Sequence, residues 1–594
     1  MFTDIAVAKK KKKIKIRIGL ILFLVLFAVI AAIGIKLYIE AKDMYRDAKT
    51  AKNEAMEILT AVKEERYEDA QAKADHVQSI IKKFRKILDE DPFWKHLDKV
   101  PRYGSDVTYG KRILEIADDL MDEYMADGFE LLKKYPLSTL KVEQSFNVKA
   151  GIEYLEFAQE IIPKAEEIVE EVSRMYIILD KNDMVQKYTS KARELFDLYH
   201  DVEKYIHLLK AILGNGEDRY YLLVAQNSAE IRACGGFPGA IGVVKIRDSY
   251  LSIGDFNSVW NVLSLNLPDE SLISDQERYM FWQWMEYPRD ASYDPYYPIV
   301  AKIWAYSYSE RMGVHVDGVI SMTPIIIQKI LACTSPITLS NGKVLDGTNA
   351  TKYIQSDIYW DYLNGDIVSR GDALEYDAMC DALFSETASK TMSSVFDSLN
   401  KESIPNLVNM VDEGIEERII MIWLRNSEGE QVVRQLGASG EFNRDASNPQ
   451  LGVFFSNSNP SKMGWYLDLD TNISEPTILP NGAFQYTVSV SMTNTITWDD
   501  AYYAGQYIGG TTAQGYLISY LHIAAPAGGY ISNYWIDNGY WLDEDMYMGS
   551  QVIYCRYFYL EPQQTVTAYF NVTTAVGVDK LLDVVTTPTL QGYR

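Results

Sequence analysis

The chain has 594 residues, of which 47% are hydrophobic, and a formal net charge of −24 at pH 7. Residues 1–17 contribute +6, so the rest of the chain carries −30. So acidic a protein is not expected to bind nucleic acid, because Lys and Arg side chains at the phosphates supply most of the affinity. The length of the chain indicates several domains.

The amino terminus predicts a membrane anchor. Seven basic residues between Lys9 and Arg17 precede Ile18–Ile35, which contains no charged or hydrogen-bonding side chain. A helix needs about 20 apolar residues to cross a bilayer, and basic residues favour the cytoplasmic side. We therefore expect a cytoplasmic leader over 1–17, a single helix over 18–39 in the lipid bilayer of the cell membrane, and the bulk of the chain outside the cell. A cleaved secretory signal is the alternative, and it leaves the bulk on the same side.

The next part of the chain predicts a helical stalk or bundle over 40–213. Residues 40–89 contain no Pro and no Gly, which predicts one helix that would extend about 70 Å at 1.5 Å per residue. Further helical stretches cover 106–135, 143–179 and 182–213. Pro163 is expected to kink or restart the third stretch.

The pattern changes after residue 216. Short apolar runs such as Tyr220–Ala225 alternate with helical patterns, which predicts an α/β sandwich over 217–412. From about 415 the segments alternate apolar and polar residues, as in Phe484–Met492, and turn residues separate them, which predicts one or two β-sandwich units over 415–594. The predicted fold class is therefore a multidomain α+β protein.

A polar, glycine-rich segment, Gln226–Gly239, follows the first predicted strand directly. The carboxyl ends of strands are where α/β folds usually bind ligands, and an Arg at that place can hold a phosphate or carboxylate. The candidate ligand-binding residues are Gln226, Asn227, Glu230, Arg232, Gly235 and Gly236. The alternative is a structural turn in which Arg232 forms a salt bridge with Glu230 or another neighbour.

Other candidate residues are scattered along the chain. Asp317 would lie at a strand edge, where it either ligates a cation or caps a turn with Gly318. The His and Cys spacings do not fit a metal site. Among the four cysteines, Cys234 and Cys333 are the first pair to test for a disulfide, and buried free thiols are the alternative.

The ordered motifs resemble a bacterial family known as domain of unknown function 4012. The block Gln226–Phe237 is similar to its Q-N-x-A-E-x-R-x-x-G-G-F pattern, and Val316–Pro324 to V-D-G-V-I-x-x-x-P. A third block, Thr334–Ile337 with Leu345–Asn349, is similar to T-G-P-I followed by L-x-G-x-N. The resemblance implies one span of a bacterial cell membrane followed by helical repeats, and it implies no known activity.

A more distant resemblance is to the LytR–CpsA–Psr phosphotransferases, which hold a polyprenyl pyrophosphate with arginines and magnesium. It implies that Arg232 and Arg370 contact phosphate and that Asp366 is a nearby acid. The chain departs from that pattern at three positions. They are Asn227, which replaces a metal-binding Asp, and Gln355 and Asp357, which replace two arginines.

Two functions follow as hypotheses. The first is a membrane-anchored envelope protein that binds or organises surface polymers, such as a cell-wall glycopolymer, or envelope proteins, without a cofactor or metal. The alternative is a glycopolymer phosphotransferase that needs Mg²⁺. Glycan hydrolysis by paired carboxylates is a third and weaker hypothesis.

Overall fold

The computed structural model describes residues 42–90, 94–99, 101, 104–175, 183–214, 216–363, 370–398, 403–537, 540–541, 546–548 and 551–594. The predicted transmembrane helix over 18–39 lies outside these ranges, and within them no helix is long and apolar enough to span a bilayer. The chain divides into two compact units. The first comprises the residues up to Gly216 with Asp248–Leu251 and Leu399–Pro405, and the second comprises Glu217–Arg247, Ser252–Ser398 and Asn406–Arg594.

The first unit is built from helices with amphipathic sequences. They are α1 Lys42–Lys63, α2 Tyr67–Glu90, α3 Gly104–Lys134, α4 Val148–Arg174, α5 Asp183–Glu203 and α6 Ile206–Leu213. Short 3₁₀ turns at Trp94–Lys99 and Leu137–Thr139 and a small hairpin, β1 Lys141–Val142 with β2 Ser145–Asn147, connect them. The helix α4 continues through Pro163, so no new helix starts there.

The predicted single long helix over 40–89 is wrong, because α1 and α2 form an antiparallel hairpin. Glu65 adopts a left-handed φ of 60° at the turn, and the amide of Arg66 donates to the carbonyl of Ala61 at 2.8 Å. Ion pairs cross between the two helices, for example Lys73 with Glu57 at 2.9 Å. Each helix has one apolar stripe, and the hairpin buries those stripes in the core of the unit instead of leaving them in water.

The first sheet of the second unit confirms the predicted mixture of strands and helices. Its strands are β3 Arg219–Asn227, β4 Phe237–Arg247, β5 Tyr250–Ile253, β6 Asn257–Ser258, β7 Gly318–Met322 and β10 Ile420–Leu424. The order across these strands is β5-β4-β3-β7-β10, with β6 paired to β4. The strands β3 and β7 are parallel, whereas β4 is antiparallel to both β3 and β6, and β10 is antiparallel to β7.

The strand β10 lies within the segment that the sequence assigned to the β-sandwich, yet it pairs with β7 in the first sheet. All five of its residues are buried. Such a continuous apolar run suits a strand that is covered on both faces.

The second unit also contains helices along its whole length. They are α7 Val259–Val262, α8 Asp275–Phe281, α9 Tyr297–Met312, α10 Pro324–Cys333, α11 Ala350–Lys352, α12 Ile358–Leu363, α13 Arg370–Ser398, α14 Ser403–Glu416, α15 Ser427–Gln435, α16 Trp498–Tyr503 and α17 Gly505–Gly509. A π-helical turn, Tyr353–Asp357, joins α11 to α12. Single 3₁₀ turns occur at Glu270–Leu272, Trp282–Glu286, Pro288–Tyr293 and Met463–Tyr466.

Two further sheets follow in the carboxyl-terminal part. One has the order β17-β19-β15-β11-β21 with β18 on β19, and the other has the order β12-β14-β20-β16 with β13 on β14. The strands are β11 Gln450–Asn457, β12 Leu467–Ile473, β13 Thr477–Ile478, β14 Phe484–Asn494, β15 Leu517–Ala524, β16 Tyr530–Ile536, β17 Tyr540–Trp541, β18 Met546–Met548, β19 Gln551–Leu560, β20 Thr565–Thr573 and β21 Asp583–Thr586. A small separate hairpin pairs β8 Ile337–Thr338 with β9 Val344–Leu345.

One core joins the first sheet to the carboxyl-terminal strands. Leu222, Trp304, Trp423, Phe454 and Cys555 belong to the same cluster of buried residues. The core therefore has no break near residues 412–415, where the sequence placed a domain boundary. The predicted multidomain α+β class is confirmed.

Candidate functional site

The segment Gln226–Gly239 forms a buried loop between β3 and β4. The two strands stay paired up to Asn227 and Phe237, so the loop closes a hairpin. Inside it, the amide of Phe237 donates to the carbonyl of Glu230 at 3.1 Å. Most of its polar side chains are buried, namely Gln226, Asn227, Ser228 and Arg232.

The two glycines of the loop permit a close approach of the chain to itself. Gly235 has a φ of 110°, and a Cβ atom there would lie 2.6 Å from the Gln226 side-chain oxygen. A Cβ atom on Gly236 would lie 2.4 Å from the carbonyl oxygen of Asn227. Since the crowded neighbour is the preceding strand, the loop's own fold accounts for both glycines.

Arg232 is committed to a buried ion pair. Its Nη2 lies 3.0 Å from Oδ1 of Asp290, and its guanidinium carbon lies 4.1 Å from the centre of the Tyr293 ring. Burial raises the pKa of Asp290, and Arg232 acts against that rise. The side chain is 7% exposed, so the geometry matches the structural alternative, with Asp290 as the partner in place of Glu230.

Glu230 pairs instead with Lys462, which the loop covers. The ammonium of Lys462 also lies 4.7 Å from the ring centre of Tyr359 and 4.9 Å from that of Tyr507. Burial acts to lower the pKa of Lys462, but Glu230 and the two tyrosines hold it well above its ordinary value. The side-chain amide of Asn227 donates to the Tyr359 hydroxyl at 2.8 Å, so three motif residues are occupied by partners from within the protein.

Backbone bonds also tie the loop to the carboxyl-terminal strands. The amide of Gly464 donates to the carbonyl of Ala229 at 2.8 Å, and the amide of Asn457 donates to that of Ile231 at 2.9 Å. The amide of Ala233 donates to Oγ of Ser456 at 3.0 Å. The loop is therefore a joint between the first sheet and the strands that follow it.

The remaining candidate residues do not gather around Arg232. Asp317 precedes β7 and accepts from Arg219 at 2.7 Å and from the amide of Tyr220 at 2.9 Å, at the amino ends of the parallel pair β3 and β7. The motif loop leaves β3 at the opposite, carboxyl end. Asp366 lies outside the described residues, as does the side chain of Arg370.

Gln355 lies beside the loop. Its Oε1 accepts from the amide of Ala229 at 2.8 Å, so it holds the loop backbone at the position where the distant resemblance expects an arginine.

The predicted disulfide between Cys234 and Cys333 is not formed. All four cysteines are free, and the thiol of Cys234 donates to the carbonyl of Asp294 at 3.0 Å. Burial raises the pKa of Cys234 far above its ordinary value, so we expect this thiol to be unreactive and to serve only in packing.

An open groove of about 840 Å³ lies between the segment 255–261 and the helix α13. Two large aromatic residues line it, namely Phe256, which is buried, and Trp260, which is 55% exposed. Polar side chains line the rest, among them Asp255, Asn257, Asn261, Asp381, Ser385 and Ser389. No sequence motif marks this groove, because its two walls are more than 100 residues apart in the chain.

The groove connects to the motif through neighbouring aromatic and cationic side chains. The Trp260 ring lies 6.4 Å from that of Phe237, the last residue of the motif block, and Arg289 lies 4.7 Å from the Trp260 ring centre. Phe237 in turn lies 5.6 Å from the guanidinium of Arg232. The buried joint therefore supports one wall of an open, polar groove.

Comparison with known proteins gives one match. Residues 216–359 match the family model described as "Protein of unknown function (DUF4012)", which confirms the resemblance drawn from the motifs. No curated protein and no solved structure matches the chain. The resemblance to the LytR–CpsA–Psr phosphotransferases stays a prediction.

Proposed function

We propose that this chain, a member of the DUF4012 family by its residues 216–359, is a binding protein of the cell envelope that holds a surface glycopolymer in the groove beside Trp260. In this proposal residues 18–39 anchor it in the cell membrane and the described units lie outside the cell. The groove is the observation that carries it.

The chemistry of the groove suits a sugar chain. A sugar ring has an apolar C–H face and a rim of hydroxyl groups, so it needs an aromatic surface beside hydrogen-bonding side chains. Trp260 supplies the surface, and Asn257, Asn261 and Ser385 supply donors and acceptors. Binding of this kind requires no cofactor.

The charges in the groove favour a neutral or amino-sugar polymer. Lys390 is neutralised by Glu386 at 2.7 Å, whereas Asp255 and Asp381 add negative charge. These carboxylates would repel a phosphate-rich polymer, and so would the net negative charge of the whole chain.

Binding can be tested with the full chain and insoluble cell-wall glycan, before and after acid removal of phosphate-containing polymers. We expect retention on both materials, and a loss of at least tenfold in affinity for Trp260→Ala and for Ser385→Trp, which fills the groove. Leu265→Ala, an exposed apolar residue outside the groove, is the control. Equal binding by Ser385→Trp and the wild type would refute the proposal that the groove is the binding site.

Orientation requires a separate test on intact cells that express the chain. Protease added outside is expected to cut the described units while a cytoplasmic marker stays whole. Complete protection of the chain would reject the extracellular placement, whatever the groove binds.

The phosphotransferase alternative is less well supported, because the pair with Asp290 occupies the arginine that it assigns to phosphate. A polyprenyl-pyrophosphate analogue offered to the wild-type chain with Mg²⁺ decides between the two. Tight magnesium-dependent binding would favour the enzyme over the binding protein.

A further inference from the structure

A stacked aromatic pair stands on the outer face of the sheet β12-β14-β20-β16. Trp535 of β16 and Tyr569 of β20 have ring centres 5.5 Å apart and an angle of 24° between the rings. They are 54% and 42% exposed. Leaving so much aromatic area in water is unfavourable, and a stacked exposed pair is typical of a contact surface.

A β-bulge places this pair in register. The pairing of β16 with β20 shifts between Ser532 and Trp535, and Asn533 in the bulge has a φ of 50°. Beyond the bulge, Trp535 lies directly opposite Tyr569. Bulges redirect side chains, and this one places Trp535 on the outer face. The left-handed conformation of Asn533 costs free energy, so the bulge is locally strained.

Hydroxyl and amide side chains continue the face beside the aromatic pair. Alternate residues of β14 and β20 point outward and bond to each other across the strands. The bonded pairs on this face are Thr493 with Thr565 at 2.8 Å, Ser491 with Thr567 at 3.0 Å and Thr487 with Asn571 at 3.4 Å. The face thus offers rows of donors and acceptors next to an apolar platform.

The charge of the face selects against polyanions. The strands β14 and β20 contain no Lys or Arg, and the adjacent β12 adds Asp468 and Asp470. Arg594 is held by Asp468 at 2.9 Å. An anionic polymer would therefore find two carboxylates and no unpaired cation on these three strands.

We propose that this face binds a neutral polysaccharide. Sugar rings of the polymer stack on Trp535 and Tyr569, and their hydroxyl groups bond to the Ser, Thr and Asn rows. The face shares no residue with the groove beside Trp260, so each surface can bind or fail without the other.

The test measures retention of the full chain on insoluble β-1,4-linked glucan and on β-1,4-linked N-acetylglucosamine polymer, with heparin as the anionic probe. Trp535→Ala and Tyr569→Ala are expected to weaken retention on at least one of the two neutral polymers by tenfold or more. Tyr569→Phe keeps the ring and should retain most of the affinity. Trp498→Ala is the matched control, because Trp498 is 52% exposed on a different element.

Four results would overturn the proposal. The first is retention of Trp535→Ala equal to that of the wild type, and the second is no retention of the wild type on either neutral polymer. The third is Trp535-dependent binding of heparin. The fourth is sedimentation showing that the wild type dimerises and Trp535→Ala does not, because a second copy would then cover the face. Trp260→Ala separates this proposal from the groove, since it should leave Trp535-dependent binding intact.

Discussion

The Nη2 atom of Arg232 lies 3.0 Å from Oδ1 of Asp290, and both side chains are buried. Removing one partner of a buried pair typically costs about 3–5 kcal/mol, although Arg289, at 3.5 Å from Oδ2 of Asp290, would still balance part of the remaining charge. We expect Arg232→Ala to lower the thermal unfolding midpoint by several degrees, as measured by calorimetry.

The double variant Arg232→Met with Asp290→Leu tests the cause. It removes both charges, so it should recover a substantial part of the lost stability. If the double variant is as unstable as Arg232→Ala, the loss comes from packing against Tyr293 and not from an unpaired carboxylate.

Gly464→Ala should destabilise the joint around the motif loop. An added Cβ atom would lie 2.6 Å from the carbonyl oxygen of Ser228 and 2.7 Å from that of Ala229, and neither backbone atom can move easily. Gly254→Ala is the matched control, because its nearest contact would be an ordinary 3.6 Å from the carbonyl of Val243. Differential scanning fluorimetry should show a clear drop for Gly464→Ala only; equal midpoints would mean that the loop relaxes without cost.

Glu430 should make stability depend on pH. Burial raises the pKa of this carboxyl from 4.5 to about 7, although it accepts from the amide of Leu424 at 2.8 Å. The folded state therefore holds a proton that the unfolded state releases, so its contribution is complete below pH 4.5 and is lost as pH rises through about 7.

Glu430→Gln removes this dependence, because Gln keeps the acceptor and does not ionise. Relative to the wild type it should gain on the order of 2 kcal/mol at pH 8 and little at pH 4. Urea denaturation at both values measures the difference. Glu428→Gln changes an exposed residue on the same helix and should leave the stability unchanged at both pH values. An equal gain for Glu430→Gln at pH 4 and pH 8 would exclude titration of Glu430 as the cause.

Thiol counting tests the free cysteines. In the native protein only Cys333 is partly exposed, so at most one thiol should react quickly with a thiol reagent. After unfolding in denaturant without a reductant, all four should react. A count of two in denaturant would indicate that a disulfide exists after all.

Regular patterns made much of the fold predictable. The segment Phe484–Met492 alternates apolar and polar residues, and it forms β14 with one buried face. The turn after α1 was missed because its left-handed position is occupied by Glu65, whereas Gly or Asn would mark such a turn.

The role of the motif could not be predicted from its own residues. Polar residues after a strand give the same sequence pattern whether they bind a ligand or form bonds to other residues of the same chain. The partners of Arg232 and Glu230 are Asp290 and Lys462, and the second of these lies 232 residues away. The groove beside Trp260 was missed for a related reason, because only the packing of α13 forms its other wall.

The position of β10 has a practical consequence for anyone who trims this chain. The family match ends at residue 359, but β7 obtains its outer neighbour from Ile420–Leu424. A fragment cut at the end of the match would leave β7 as an exposed, apolar edge strand, which would favour aggregation. Expression boundaries should accordingly follow the hydrogen-bonded neighbours of each strand, and a useful fragment must extend well beyond residue 359.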